Sequence, residues 1–283
     1  MNAPDASLLT TRDFPQDQEG WVRFFQQAEI PVLATTAGAL EELRENEDAV
    51  DARMLAEIIS ADPLMTLKLL AYTSGMKQSA RRQTDVETAT EALVLIGITP
   101  FFRAFGPQPT VEEHLREQPD AMQGLRKVID RAHRAARFAL SFAVHRFDHD
   151  APVIYEAALL HDFTEMLLWL HAPQLALEIS ARQKADPTLR SLSVQRTLLG
   201  VPLTDIQHAL MLAWRLPELL VRITDDRQEG ATQVRNVMLA IRLARHTSQA
   251  WSNPAVPDDV RDIAQLLNLG LEPTLALLHE IDG

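Results

Sequence analysis

Proline recurs at a nearly constant interval in the second half of this 283-residue chain. Pro173, Pro187, Pro202 and Pro217 follow one another at spacings of 14 or 15 residues. Because proline lacks a backbone N–H and blocks the continuation of a helix, each of them is expected to separate one helix from the next. No sequence repeat accompanies the spacing. The interval therefore predicts a series of short α-helices with tight connections.

The residue composition favours the same fold class. Aromatic residues make up 6% of the chain, and β-branched residues rarely alternate with polar ones as they do in strands. Helix formers such as Ala, Leu, Glu, Arg and Gln are abundant, and a hydrophobic fraction of 46% supplies a core. We predict an all-α fold, a multi-helix bundle of two packed helical subdomains.

Local signals suggest where helices start and where the chain divides. Asp62-Pro63 is typical of a helix start, since the carboxylate can accept from free N–H groups. Thr84 and Glu87 form a capping-box pattern that predicts a helix ending near Gly97. The Gly106-Pro-Gln-Pro109 break separates two helical blocks. We expect a flexible tail (1–18), an N-terminal subdomain (19–106), a second subdomain (107–226) and a C-terminal extension packing on it (227–283).

Charge and cysteine content exclude several functions. The chain carries 27 Lys and Arg against 39 Asp and Glu, a net charge of −12, which argues against nucleic acid as a partner. With no cysteine, it has neither disulfides nor thiolate metal sites. No long apolar window and no basic, apolar leader are found, so we expect no membrane association and a cytoplasmic location.

His161-Asp162 is the first candidate for chemistry, because it follows an apolar run that should be buried. Buried polar side chains need partners. The pair is either a structural pair held by hydrogen bonds or part of a metal site completed by neighbouring helices. The sequence context contains neither a nucleophile elbow nor a phosphate-binding loop.

His133 lies on a predicted long helix among Arg131, Arg134 and Arg137. The histidine is either a half-buried residue or a ligand. The three arginines either form a solvated face or contact an anion such as phosphate.

The order of several motifs resembles the HDOD family, a branch of the HD phosphohydrolase superfamily. The first block runs from Ile30-Pro31-Val32-Leu33 through Asp62-Pro63-Leu64-Met65-Thr66 to a helix closing in Ile96-Gly97. The second contains Ala132-His133, Ala158-Leu-Leu-His-Asp162 and Trp214-Arg-Leu-Pro217. The resemblance covers residues 30 to about 224 and implies an HD-like second half.

Active HD enzymes hold divalent metal through a histidine, a His-Asp pair and a later aspartate. The resemblance places the first three at His133, His161 and Asp162, but the later aspartate at Ile241, which cannot bind metal. It also places Glu165 where the family pattern has lysine. Asp225 and Asp226 follow the Trp-x-Leu-Pro segment and are possible substitute ligands.

The resemblance, with its incomplete ligand set, implies a non-catalytic bacterial signalling or regulatory module that binds a protein partner, with no cofactor. One alternative is a metal-dependent phosphohydrolase acting on a nucleotide or cyclic dinucleotide, with Asp225 or Asp226 completing the metal site. Another is a receptor that binds a nucleotide or other anion through Arg131, Arg134 or Arg137 without hydrolysing it.

Overall fold

The computed structural model describes residues 14–76, 86–186, 189–225, 227 and 230–283. Within these ranges the all-α prediction is confirmed, because the regular structure is helical apart from one isolated bridge between Val32 and Thr110. The α-helices in chain order are α1 (Gln18–Gln27), α2 (Ala34–Glu45), α3 (Ala52–Ser60), α4 (Pro63–Met76), α5 (Ala89–Ile96), α6 (Ile98–Ala104), α7 (Val111–His114), α8 (Pro119–His145), α9 (Ala151–Leu160), α10 (Phe163–His171), α11 (Pro173–Ala185), α12 (Ser191–Leu199), α13 (Leu203–Ala213), α14 (Glu218–Ile223), α15 (Thr232–His246), α16 (Val256–Leu267) and α17 (Leu271–Asp282).

The proline spacing corresponds to helix boundaries in the described residues. Pro173 is the first residue of α11, while Pro202 and Pro217 directly precede α13 and α14. Pro187 lies outside the described residues.

Helix α4 begins at the predicted Asp62-Pro63 signal. Asp62 Oδ1 accepts hydrogen bonds from the backbone N–H groups of Leu64 and Met65 at 2.9 and 3.2 Å. Its Oδ2 accepts from the Leu33 N–H at 2.8 Å. One buried carboxylate therefore caps α4 and also holds the segment before α2 against it.

Helix α5 begins four residues later than the Thr84 capping pattern would place it. Thr84 lies outside the described residues, and the capping box is formed by Thr88 and Glu91, which repeat the same pattern. With this start, Ala92, Leu93 and Ile96 occupy the buried face of the helix. A tertiary contact accompanies this start, because the buried Glu156 carboxylate accepts from the Ala89 N–H at 2.7 Å.

The segment before α1 is packed against the second half of the chain. The predicted tail covers residues 1–18; residues 1–13 lie outside the described part, whereas Phe14 is buried. Gly200 adopts φ +76, and a Cβ there would lie 1.9 Å from the carbonyl oxygen of Gln16. The Trp21 indole N–H donates to the Leu199 carbonyl at 3.0 Å. Helix α1 also packs on α13, so it contacts the second subdomain although the predicted division assigns it to the first.

The predicted break at residues 106–109 is tied back to the first block. Val32 N–H donates to the Pro109 carbonyl at 3.0 Å, and Val111 N–H donates to the Val32 carbonyl at 2.8 Å. The Lys68 ammonium bonds the Gln108 side chain at 2.6 Å. These bonds anchor the connection between the two halves.

Helix α8 is the centre of the second half. It packs against α9, α10, α11, α15 and α17, and its buried face is rich in alanine, which allows close approach. From the C-terminal part of the chain, α15 lies against α8 and α9, and α16 packs on α15. This places α15 beside the α9–α10 junction, where His161 and Asp162 lie. Among the described residues, no helix combines the length and apolar character that spanning a membrane requires.

Candidate functional site

His161 and Asp162 occupy the short connection between α9 and α10. His161 retains helical backbone angles after the last residue of α9, and Asp162 directly precedes α10. The apolar faces of both helices are in the core, which buries the His161 side chain and leaves that of Asp162 10% exposed. The side chains of both residues are therefore largely buried, as the apolar run before them predicts.

Asp162 is surrounded by donors from two helices and from the neighbouring His161. Its Oδ2 accepts from Arg131 Nε and Nη2 at 3.0 and 2.8 Å. Its Oδ1 accepts from Arg245 Nη2 at 2.6 Å and lies 3.1 Å from His161 Nδ1. A carboxylate offers about four lone-pair sites. With His161 Nδ1 protonated, all four are used within the protein.

The two arginines determine the ionisation of Asp162. Burial alone would raise the pKa of this carboxyl, but the positive charges of Arg245 and Arg131 and the hydrogen bond from His161 hold the pKa well below its usual range. Asp162 is therefore a carboxylate at neutral pH, and its charge is compensated by guanidinium groups.

Arg131, rather than His133, is the α8 residue that faces this pair. Residues i and i+2 of an α-helix point in directions about 200° apart. The side chains of Arg131 and His133 therefore leave α8 on nearly opposite sides. Arg131 bonds Asp162, while His133 lies beside Ala61 and Arg137 in the wall of a cavity in a different part of the structure. Burial lowers the pKa of His133. The structure brings together His161 and Asp162 from the predicted ligand set, and places His133 elsewhere.

The family pattern predicts that α15 contributes an aspartate to the site. Here the helix contributes an arginine instead, from a different position. Ile241, at the position expected for the aspartate, is buried in the core. Arg245 follows one turn later and therefore lies on the same side of α15, where it reaches Asp162. The helix that carries the last acidic ligand in active HD enzymes here supplies a positive charge.

The presence of Glu165 in place of the family's lysine is explained by its contact with Arg131. Its carboxylate accepts from Arg131 Nη2 at 2.7 Å, so an acidic residue here balances the arginine of α8. A lysine at this position would place a second positive charge beside Arg131. The replacement of lysine by glutamate and the presence of Arg131 are thus parts of one arrangement.

The residues do not fit a divalent metal at this site. Metal ligands need free lone pairs, and those of Asp162 are occupied by two guanidinium groups that would also repel a cation. Within the described part of the chain, no three His, Asp or Glu side chains converge as a metal-binding group. Asp225 pairs with Arg227 at 3.8 Å, and Asp226 lies outside the described residues.

The three predicted anion contacts are separated by the structure. Arg131 is paired with Asp162 and Glu165. Arg134 is held by both oxygens of Asp282 in α17, each at 2.8 Å. Arg137 lies on the other side of α8, in the wall of a cavity that also contains His133.

Sequence reasoning missed Arg245, and it noted Glu165 only as a departure from the family pattern, without predicting its pairing with Arg131. A signal existed for Glu165, because its charge is opposite to that of the lysine in the family pattern. No comparable signal existed for Arg245, which is 83 residues from Asp162 in the chain.

The HDOD domain family matches residues 30–229, which is more than half of the chain, and the protein belongs to this family. No curated protein sequence matches it.

Solved structures share the fold. The MmoQ response regulator of Methylococcus capsulatus str. Bath is 19% identical, with a TM-score of 0.65, over 89% of this chain and 98% of that one. A virulence factor from Campylobacter jejuni subsp. jejuni is 18% identical, with a TM-score of 0.65, over 89% of each chain. At these identities the likeness concerns the fold alone.

Proposed function

We propose that this HDOD protein is a non-catalytic regulatory module that acts by binding a protein partner. The observation that carries the proposal is the pairing of Asp162 with Arg131 and Arg245. In an HD hydrolase this carboxylate must be available to a metal that activates water. In this protein the Asp162 carboxylate instead connects the start of α10 to α8 and α15, which is a structural role. The similarity to a response regulator supports a role in signalling.

An exposed apolar turn supports the interaction with a partner. Phe147, after α8, is 89% exposed, and Val144 beside it is 60% exposed. Phe147 also has φ +55, a left-handed conformation that costs free energy for a residue other than glycine. Hydrogen bonds at the end of α8 stabilise this turn, since the Asp148 N–H donates to the Ala143 carbonyl at 2.9 Å, so the exposed ring and not the backbone supports contact with a partner.

The absence of catalysis can be tested on the full chain purified without an affinity tag and without chelator. We expect less than stoichiometric metal by mass spectrometry, and no hydrolysis of nucleotides or cyclic dinucleotides with added Mn²⁺ or Mg²⁺. The His161→Ala/Asp162→Ala variant should have the same metal content. A His145→Ala/Asp120→Ala variant, which removes an exposed histidine and aspartate, is the matched control.

Stoichiometric iron, manganese, zinc, magnesium or nickel that is lost only from the His161/Asp162 variant would contradict the proposal and support the phosphohydrolase. Binding to a partner is tested by quantitative capture from cell extract with wild-type, Phe147→Ser and Leu212→Ser chains. Leu212 is another exposed apolar residue and serves as the control. A partner retained equally by all three chains would exclude Phe147 as its contact.

A further inference from the structure

A cavity of about 350 Å³ that is widely open to solvent lies where the first helical block meets the second, on the side of α8 opposite Arg131. Its volume is within the range of small-molecule sites, about 300–1,000 Å³. Helix α3 forms one wall, and α8 and α9 form the other. The lining residues are Glu57, Ser60, Ala61, His133, Arg137 and Tyr155.

Arg137 supplies an exposed positive charge that forms no ion pair among the described residues, although together with Arg134 it lowers the pKa of Asp282, at longer range. It lies one turn after His133, so both side chains share one face of α8. Among the described residues, its guanidinium donates no hydrogen bond, in contrast to Arg131 and Arg134 on the same helix. Its charge nevertheless acts on the cavity, because it counteracts the rise in the pKa of Tyr155 that burial causes.

Acidic groups outside the lining also act on this region, because the charge of Asp130 counteracts the fall in the pKa of His133 that burial causes, and Arg137 adds to Arg134 in lowering the pKa of Asp282, but neither aspartate lines the cavity. Glu57 pairs with Arg53 on the outside of α3 at 3.1 Å. Asp62, whose charge also acts on His133, accepts backbone N–H groups through both of its oxygens. Of the two side chains in the lining that carry a full charge, Glu57 has an ion pair with Arg53, and Arg137 has none among the described residues.

The remaining walls combine ring surfaces with polar atoms. The ring of His133 lines the cavity beside Ala61. The Tyr155 hydroxyl donates to the Ser60 carbonyl at 3.4 Å, a long bond that a ligand acceptor can replace. Two rings and a guanidinium suit a flat body that carries an anionic group.

We propose that this cavity binds a small organic anion, with a phosphate monoester or carboxylate group paired to Arg137 and an apolar or aromatic body against His133 and Tyr155. Such a ligand would contact α3 together with α8 and α9, and would stabilise the junction of the two blocks. The inference does not depend on the proposed function, because the cavity shares no side chain with the Asp162 pairs.

The experiment is thermal unfolding of the full chain with phenyl phosphate or benzoate, compared with sodium chloride at equal ionic strength. The two probes distinguish a phosphate from a carboxylate ligand. A ligand specific for the folded state raises the midpoint, here by about 2 °C at concentrations well above Kd. Arg137→Gln should lower the affinity about tenfold or more, since it removes a charged hydrogen bond.

Arg126→Gln is the matched control, because Arg126 is also an exposed arginine of α8 but does not line the cavity. Stabilisation by either probe of the wild type and of Arg126→Gln, but not of Arg137→Gln, would support the site. Two results would overturn the proposal: neither probe stabilises the wild type, or Arg137→Gln responds as strongly as the wild type does. Circular dichroism checks that each variant is folded. Tyr155→Phe is a second test variant, and we expect it to bind the probe with reduced affinity.

Discussion

Replacing Asp162 by asparagine removes a negative charge that faces two guanidinium groups and keeps the size of the side chain. Arg131, with 19% of its side chain exposed, donates two hydrogen bonds to one carboxylate oxygen and Arg245 donates one to the other, and an asparagine oxygen can replace only one of these two acceptors. The amide N–H₂ group would also point its positive end at one of the two guanidinium groups. The substitution tests whether this carboxylate holds α8, α10 and α15 together.

The magnitude follows from the exposure of the partners. Removing one member of a fully buried ion pair costs about 3–5 kcal/mol. Arg245 is 48% exposed, so solvent screens its charge, and Arg131 retains Glu165. We therefore expect Asp162→Asn to lower the free energy of unfolding by about 2–3 kcal/mol. Arg245→Ala should cost less, about 1 kcal/mol, because its charge is the more exposed one.

The pH dependence provides a second readout. A carboxyl whose pKa is depressed in the folded state stabilises the fold above its unfolded pKa, and this contribution is lost as pH falls through the folded value. The ordinary value for Asp162 is 3.8, and the folded value lies well below it. The stability difference between wild type and Asp162→Asn should thus be full near neutral pH and shrink below about pH 4.

Urea unfolding followed by circular dichroism measures both effects. Asp258→Asn is the control, because its pair with Arg261 is exposed and should contribute no more than about 1 kcal/mol. A loss for Asp162→Asn no larger than that of the control, or a difference that does not shrink in acid, would refute the structural role assigned to this carboxylate.

Three further perturbations test other parts of the fold. Burial raises the pKa of Glu156 to about 8, so ionisation of this side chain should reduce stability as pH rises from about 4.5 to 8. Glu156→Gln should remove at least about 1 kcal/mol of that decline. Urea midpoints of wild type and Glu156→Gln that change equally across about pH 5–9 would contradict this expectation. A Cβ at Gly124 would lie 2.4 Å from the ring of Trp169, so Gly124→Ala should lower the free energy of unfolding by about 1–3 kcal/mol, as measured by thermal unfolding. Gly38→Ala is the control and should not destabilise the protein, because a Cβ there meets no atom within 4 Å. Asp282→Asn weakens the pair with Arg134 and should lower stability by about 1–2 kcal/mol and speed amide hydrogen exchange in α17; unchanged exchange would show that the pair does not hold this helix.

Features set by neighbouring residues were predictable from the sequence. Asp62-Pro63 identified the start of α4, because a cap requires only a carboxylate and the N–H groups that follow it. The burial of His161 followed from the apolar run before it. The capping box was harder, since Thr84 and Thr88 each precede a glutamate by three residues, and the bond from the Ala89 N–H to Glu156, 67 residues away, is a tertiary contact.

The composition of the site was decided by tertiary structure. Helical geometry requires Arg131 and His133 to point in different directions, but it does not say which of them meets the His-Asp pair. The docking of α9 and α10 on α8 decides in favour of Arg131, and the packing of α15 brings Arg245 to the same carboxylate. Local sequence therefore determined the helices and the buried pair, because caps and apolar periodicity act over a few residues. Only the tertiary structure decided that the charge of Asp162 is balanced by arginines, because that balance depends on side chains from helices far apart in the chain.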